Sequence, residues 1–177
     1  MREVPVPVQH FVVPVQPFES ASISVSLEPA NPAAVESLLR SLPAWFGIED
    51  AIVGDVAAAA RLTTYLARDA ESAPVGVVLL ERHYPETAEL YLMAVAPTHH
   101  RAGIGRALLR AIESDLTADG VTLLEVKTVG PSQPDLNYAR TRLFYQATGF
   151  QPVEELRGLW GDTPCLIMIK TLIPGQR

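Results

Sequence analysis

Apolar positions recur along this chain with two periods, and each switch between them marks an element. Ser22 to Leu27 alternates serine with Ile23, Val25 and Leu27, the spacing of a half-buried strand. Asn31-Pro32 offers an N-cap and a first-turn proline, and Val35, Leu38, Leu39 and Leu42 follow at helical spacing. An alanine-dominated stretch predicts a second helix over Asp50 to Arg61. Three strands are expected next, Leu62 to Arg68, Val75 to Arg82 and Ala88 to Val95, joined by short loops as in an antiparallel meander. The helical period returns from Gly103 to Ala118. Ile104, Leu108, Ile112 and Leu116 form its inner stripe, and Arg106, Arg110, Glu113 and Thr117 lie opposite. Asp119-Gly120 ends that helix. Val121 to Lys127 reads as a strand, Asp135 to Thr148 contains a helix closed by Gly149, and Val153 to Leu156 and Cys165 to Thr171 read as two final strands. The sum is a mixed α/β (α+β) domain of about seven strands and four helices.

The first twenty residues break this order. Pro5, Pro7, Pro14 and Pro17 remove backbone donors, so neither a helix nor an interior strand fits. Val4, Val6, Val8, Phe11, Val12 and Phe18 are too apolar for a well-solvated tail. We read residues 1–20 as an extended arm on the domain of residues 21–177. It lies along the domain edge or on a second copy, which would make a homodimer; a loose leader is the alternative.

Composition narrows the classes. The 177 residues suit one domain, and 48% hydrophobic with 19% charged residues excludes disorder of the whole chain. No apolar run approaches the ~20 residues of a membrane helix, and the N-terminus lacks a signal-peptide pattern. The one cysteine, Cys165, can form neither an internal disulfide nor a cysteine metal cage. A net charge of −6 disfavours nucleic acid and acidic membranes as partners. The expectation is a soluble, cytoplasmic protein. Against that acidic background Arg101, Arg106 and Arg110 cluster.

The cluster lies where a strand runs through Pro97-Thr98-His99-His100-Arg101-Ala102 into a helix opened by Gly103 and Gly105. A first helical turn has free N–H groups and the positive end of the dipole, and glycines let an anion approach the backbone. A phosphate or pyrophosphate site over Arg101 to Arg106 follows. The dinucleotide fingerprint G-x-G-x-x-G fails at Leu108 and in its distance from the strand, although Glu125 stands twenty residues after Gly105. A P-loop is excluded, since no G-K-[ST] occurs.

His100-Arg101-Ala102-Gly103-Ile104-Gly105 resembles the [QR]-x-x-G-x-[GA] phosphate loop of the GNAT superfamily of acyl-CoA-dependent N-acyltransferases, with histidine in the first place. Phe144-Tyr145-Gln146-Ala147-Thr148-Gly149-Phe150 resembles the F-Y-x-x-x-G-F helix end of that family. The resemblance spans Ser22 to Thr171. A closer likeness, to a bacterial branch of the superfamily, rests on Leu42 to Ile48, Tyr138 to Arg142 and Leu159-Trp160-Gly161.

The resemblance implies a mostly antiparallel sheet that splays between its fourth and fifth strands to admit acetyl-CoA as co-substrate. It implies that the coenzyme pyrophosphate is held by His100, Arg101, Ala102, Gly103, Ile104, Gly105 and Arg106. The pantetheine arm would pair with the strand edge at Met93, Ala94 and Val95, and Asn137 would hydrogen-bond the coenzyme. Arg140 and Arg142 would meet its phosphates or solvate the helix. Glu89 matches the general base, with Glu81 and His83 in reserve. Strand alternation sets Glu89 on one face with Tyr91, Met93 and Val95. A base is needed because on the order of one lysine-like amine in a thousand is neutral at pH 7. Tyr145 matches the general acid for the leaving thiolate; the alternative is a packed aromatic. Trp45, Phe46, Tyr138 and Trp160 fall in segments that shape the acceptor pocket. His99 and His100 lack neighbours at ligand spacing, so no metal is expected. Cys165 reads as a buried small hydrophobe. The function implied is direct acetyl transfer to a small-molecule or peptide amine; the alternative is a non-catalytic acyl-CoA-binding or sensory module.

Overall fold

The computed structural model of the chain describes residues 23–172, so the proline-valine arm lies outside the described residues. β1 (Ser24–Glu28) leads to α1 (Pro32–Arg40), where the Asn31 side chain accepts from Ala34 N–H and caps the helix as its sequence predicts. α2 (Glu49–Ala59), β2 (Thr63–Arg68), β3 (Pro74–Tyr84) and β4 (Thr87–Val95) follow. Then come a 3₁₀ turn over Pro97–His99, α3 (Ile104–Ala118), β5 (Leu123–Val129), α4 (Leu136–Ala147), β6 (Gln151–Gly158) and β7 (Gly161–Thr171).

The seven strands form one sheet in the order β1-β2-β3-β4-β5-β7-β6, with β4 and β5 its parallel pair. β5 begins later than its apolar pattern suggests. Val121 N–H closes onto Leu116 O behind Gly120, whose φ is +82°, so Val121 belongs to the helix stop. β6 and β7 extend further than expected because their hairpin turns tightly between Gly158 and Gly161, both at positive φ.

Apolar side chains fill both faces of the sheet. On one, Tyr65, Val78, Leu80 and Leu90 pack under Ile104, Leu108 and Ile112 of α3, the inner stripe read from the sequence. On the other, Leu66, Val77, Leu79 and Leu92 meet Val35, Leu38 and Leu39 of α1 and Ile52 of α2. Among the described residues, no helix is long and apolar enough to cross a membrane.

The register of β4 positions the site. Leu79 faces Leu92 and Leu80 faces Leu90, so Tyr91 is an extra residue, a β-bulge. Ala88 and Leu90 face α3 before the bulge, and Met93 and Val95 face it afterwards. Alternation across the whole strand is therefore broken. Glu89 shares its face with Tyr91, Leu92 and Ala94, not with Met93 and Val95.

Candidate active site

β4 and β5 pair from Thr87–Leu123 to Leu90–Val126 and then part, although β4 runs on to Val95 and β5 to Val129. This is the splay between the fourth and fifth strands. It leaves one edge of β4 open beyond Leu90. Gly76 faces Val95, and Ala96 N–H donates to Val75 O at 2.9 Å. In an antiparallel ladder this turns the backbone groups of Ala94 towards β3, and those of Met93 and Val95 into the splay. Both backbone groups of Met93 and the N–H of Val95 thus stand where an extended ligand could pair, while Val95 O is taken by His100 Nε2. Ala94 does not, because its N–H and C=O serve Val77 and its side chain is buried in the second core.

The loop after β4 coils towards α3. His100 N–H is used by Pro97 O, and its ring Nε2 donates to Val95 O at 2.8 Å, so neither group faces an anion. Histidine in the first motif place is a tether back to the strand end. Arg101 (φ +65°) and Gly103 (φ +84°) both take left-handed backbone. The first bond of α3 runs from Ala107 N–H to Gly103 O, which leaves the N–H groups of Ile104, Gly105 and Arg106 without an intrahelical acceptor. Ala102 N–H bonds His99 O at 3.3 Å. Within the expected stretch of Arg101 to Arg106, the Ala102 amide is thus already engaged, and those of Ile104, Gly105 and Arg106 are open. Gly105 has a further reason: a Cβ there would come within 3.0 Å of Phe144 Cζ, so glycine lets α4 close against α3.

Glu89 is buried at 6% exposure, on the face of α1 and α2. Its Oε2 accepts from His83 Nε2 at 2.8 Å and from Lys127 Nζ at 2.7 Å, and Lys127 also reaches Glu125 at 2.8 Å. Burial alone would lower the Lys127 ammonium, but hydrogen bonds to Glu125 and Glu89, with their charges, raise it above the ordinary lysine range. Glu81 pairs with Arg61 at 2.7 Å. Donor atoms of Glu81, His83 and Glu89 lie within 4.8 Å of one another, and Arg61 and Lys127 already supply cations to this group. Sequence reasoning named Glu81, His83 and Glu89; Lys127 it missed, since a β5 lysine has no local signal tying it to β4.

Tyr145 sits in the α3-side core at 6% exposure, with its ring edge-on to Phe144 at 5.6 Å and Phe150 at 5.4 Å between centroids. Gly149 (φ +97°) turns the chain so that Phe150 N–H reaches Tyr145 O, which explains the motif's spacing. Burial pushes the phenol well above its usual range, so its hydroxyl stays protonated. Asn137 lies two turns earlier on α4, about 12 Å along the helix axis from Tyr145. Arg142 does not face the loop; it donates to Val129 O at 2.7 Å and fixes the end of β5. Arg106 reaches Ala147 O at 3.4 Å.

The loop between α1 and α2 crosses to α4. Tyr138 OH donates to Trp45 O at 2.8 Å, Trp45 Nε1 donates to Thr141 Oγ1 at 3.2 Å, and the Trp45 ring packs edge-on to His100 at 5.6 Å. Trp45, Tyr138 and the loop at His100 are thereby one assembly. Trp160 lies in the β6–β7 hairpin, bridged to Thr163. Cys165 is buried in β7, and burial raises its thiol.

A comparison with curated protein sequences finds no match. Among solved structures, a GNAT-family protein from Desulfovibrio desulfuricans superposes with a TM-score of 0.74 at 20% identity, covering 86% of this chain and all of that one. An aminoglycoside 6'-N-acetyltransferase complexed with coenzyme A gives 0.68 at 20% identity, over 87% of this chain and 99% of that one. A GNAT-family acetyltransferase from Elizabethkingia anophelis with acetyl-CoA bound gives 0.67 at 19%, over 85% and 98%. At such identities the likeness is one of fold. The sequence profile of the acetyltransferase (GNAT) domain matches residues 60–152, just over half of the chain, and takes in the splay, the loop at Gly103 and the Tyr145 helix end. On that match, the chain belongs to the GNAT acetyltransferase family.

Proposed function

We propose that this protein is an N-acetyltransferase that moves the acetyl group of acetyl-CoA directly onto a primary amine of a small molecule or peptide. The observation that carries the reading is continuity. Free amides at the start of α3 adjoin the open edge of β4, and that edge leads down to the fork where Glu89 is buried. Solved relatives in fold hold coenzyme A or acetyl-CoA, which supports the donor. The amides of Ile104 to Arg106 would take the pyrophosphate, and Met93 and Val95 would pair with pantetheine.

Glu89 would draw the proton from the amine through its free Oε1 or a water, with His83 and Lys127 fixing the carboxylate. The Tyr145 hydroxyl, kept protonated by burial, would donate a hydrogen bond to the departing sulfur. Transfer is direct, because the Cys165 thiol is buried and raised rather than activated. A cytoplasmic site of action, where acetyl-CoA is made and used, completes the reading.

The unfolding midpoint with acetyl-CoA, coenzyme A and NAD tests the donor. Acetyl-CoA at a hundred times its dissociation constant should add ~2.7 kcal/mol, a rise of roughly 5–11 °C for a domain of this size. NAD should add nothing, and a chain indifferent to acetyl-CoA would sink the proposal.

The pairing of Glu89 with both His83 and Lys127 favours a second reading, an acyl-CoA-binding module without turnover. A Glu89→Gln, Tyr145→Phe double variant separates the two. Acetylation of a screened amine by the parent, lost by a factor of 10² or more in a variant that still binds acetyl-CoA, supports the enzyme. A parent that binds acetyl-CoA yet acetylates no amine supports the module.

A further inference from the structure

Two of the chain's 14 basic residues are lysines, Lys127 and Lys170. Their side chains are 25% and 20% exposed, and each is paired with a carboxylate. Their positions differ. Lys170 of β7 lies on the α3 face and donates to Glu113. Lys127 is the first residue of β5 beyond its last rung with β4, and it lies on the opposite face, where its Nζ is 2.7 Å from Glu89 Oε2.

An external amine that uses Glu89 directly as its base must bring its nitrogen within hydrogen-bond distance of that carboxylate, beside the open edge of β4. Lys127 Nζ already meets the first demand and stands at the fork that meets the second. We propose that Lys127 is an acceptor built into the chain: given an acyl-CoA thioester and no external amine, the protein acetylates itself at Lys127 Nζ. The inference rests on the acetyl-transfer reading above.

The step balances in the usual way of aminolysis. The ammonium gives one proton to Glu89, and the freed lone pair forms an amide bond to the thioester carbonyl carbon. The C–S bond breaks, its electron pair leaves on the coenzyme A sulfur, and that sulfur takes the second proton shed by nitrogen. The products are acetylated Lys127, coenzyme A thiol and a proton on Glu89, which is then released to solvent. Held by two carboxylates, Lys127 is a slow nucleophile; proximity to the bound thioester offsets this. Acetylation would also strip Glu89 of one of its two cationic partners.

The test uses the full chain with acetyl-CoA. Peptide mapping gives the acetyl occupancy of both lysines in the same molecules, and the unfolding midpoint reports whether acetyl-CoA binds. Lys127 should carry at least about tenfold more acetyl than Lys170. Glu89→Gln should slow modification of Lys127 by on the order of 10²-fold while Lys170 stays unchanged. Binding with Lys127 unmodified overturns the inference, as does equal modification of the two lysines, the mark of chemical acylation by the thioester. Failure to bind overturns the donor reading itself. Lys170 is an internal reference within the parent chain, so the comparison of the two lysines holds whether or not Glu89→Gln folds.

Discussion

Gly103 and Gly105 stand two positions apart and answer different demands. Gly103 takes a left-handed conformation with open space where a Cβ would be, whereas Gly105 has ordinary helical backbone and no room beside Phe144. The sequence spacing disclosed both glycines but assigned them one task, the approach of a phosphate. Only the packing of α4 on α3 separates them, and that contact joins residues nearly forty positions apart. Asp55, on α2, had no sequence signal at all. Burial pushes its carboxyl up to about 6, against the pull of the Tyr91 hydroxyl. Between about pH 4 and 6 the folded state then holds more protons than the unfolded one, so stability falls as pH rises through that window and is level above it. Asp55→Asn should accordingly raise the unfolding midpoint at pH 7.5 and change little at pH 3.5. The gain at pH 7.5 should be on the order of 1–2 kcal/mol, after allowance for solvent screening of a partly exposed group. An equal shift at both pH values would show that the carboxyl's ionisation is not the cause.

At the scale of elements, the seven strands and four α-helices between Ser24 and Thr171 were all legible in the sequence, most of them in the apolar period and α2 in its alanines, although β6 buries none of its residues. What the period could not disclose is the irregularity that matters most, the bulge at Tyr91. A single inserted residue leaves the residues on either side apolar, so β4 still reads as one alternating strand. Its partner's register gives it away: Leu79 and Leu80 meet residues two apart. Nor could spacing disclose the strap from the α1–α2 loop to α4, which depends on the Tyr138 hydroxyl meeting the Trp45 carbonyl. Tyr138→Phe removes that bond and should cost about 0.5–1.5 kcal/mol. The effect should be local. Amide exchange across Leu42 to Ile48 should quicken while β2, β3 and β4 keep their protection; unchanged exchange in the loop would mean that Trp45 is held by its ring contacts instead.

For the molecule as a whole, the sheet consists of two antiparallel blocks, β1-β2-β3-β4 and β5-β7-β6. Four rungs of parallel pairing join them. Each block is also continuous in sequence, and the boundary falls in the turn at Asp119-Gly120. The candidate site is the gap that these rungs leave unfilled, at the seam between two blocks that α3 and α4 bind together through one core. A break in the chain at that turn would leave every strand its antiparallel neighbours. Two separate polypeptides would remain, held together by the four rungs, by the core that α3 shares with β5, α4 and β7, and by the Lys127–Glu89 and Lys170–Glu113 pairs. Cut at that turn, the domain would be a two-piece assembly in which each half supplies the other's missing core wall.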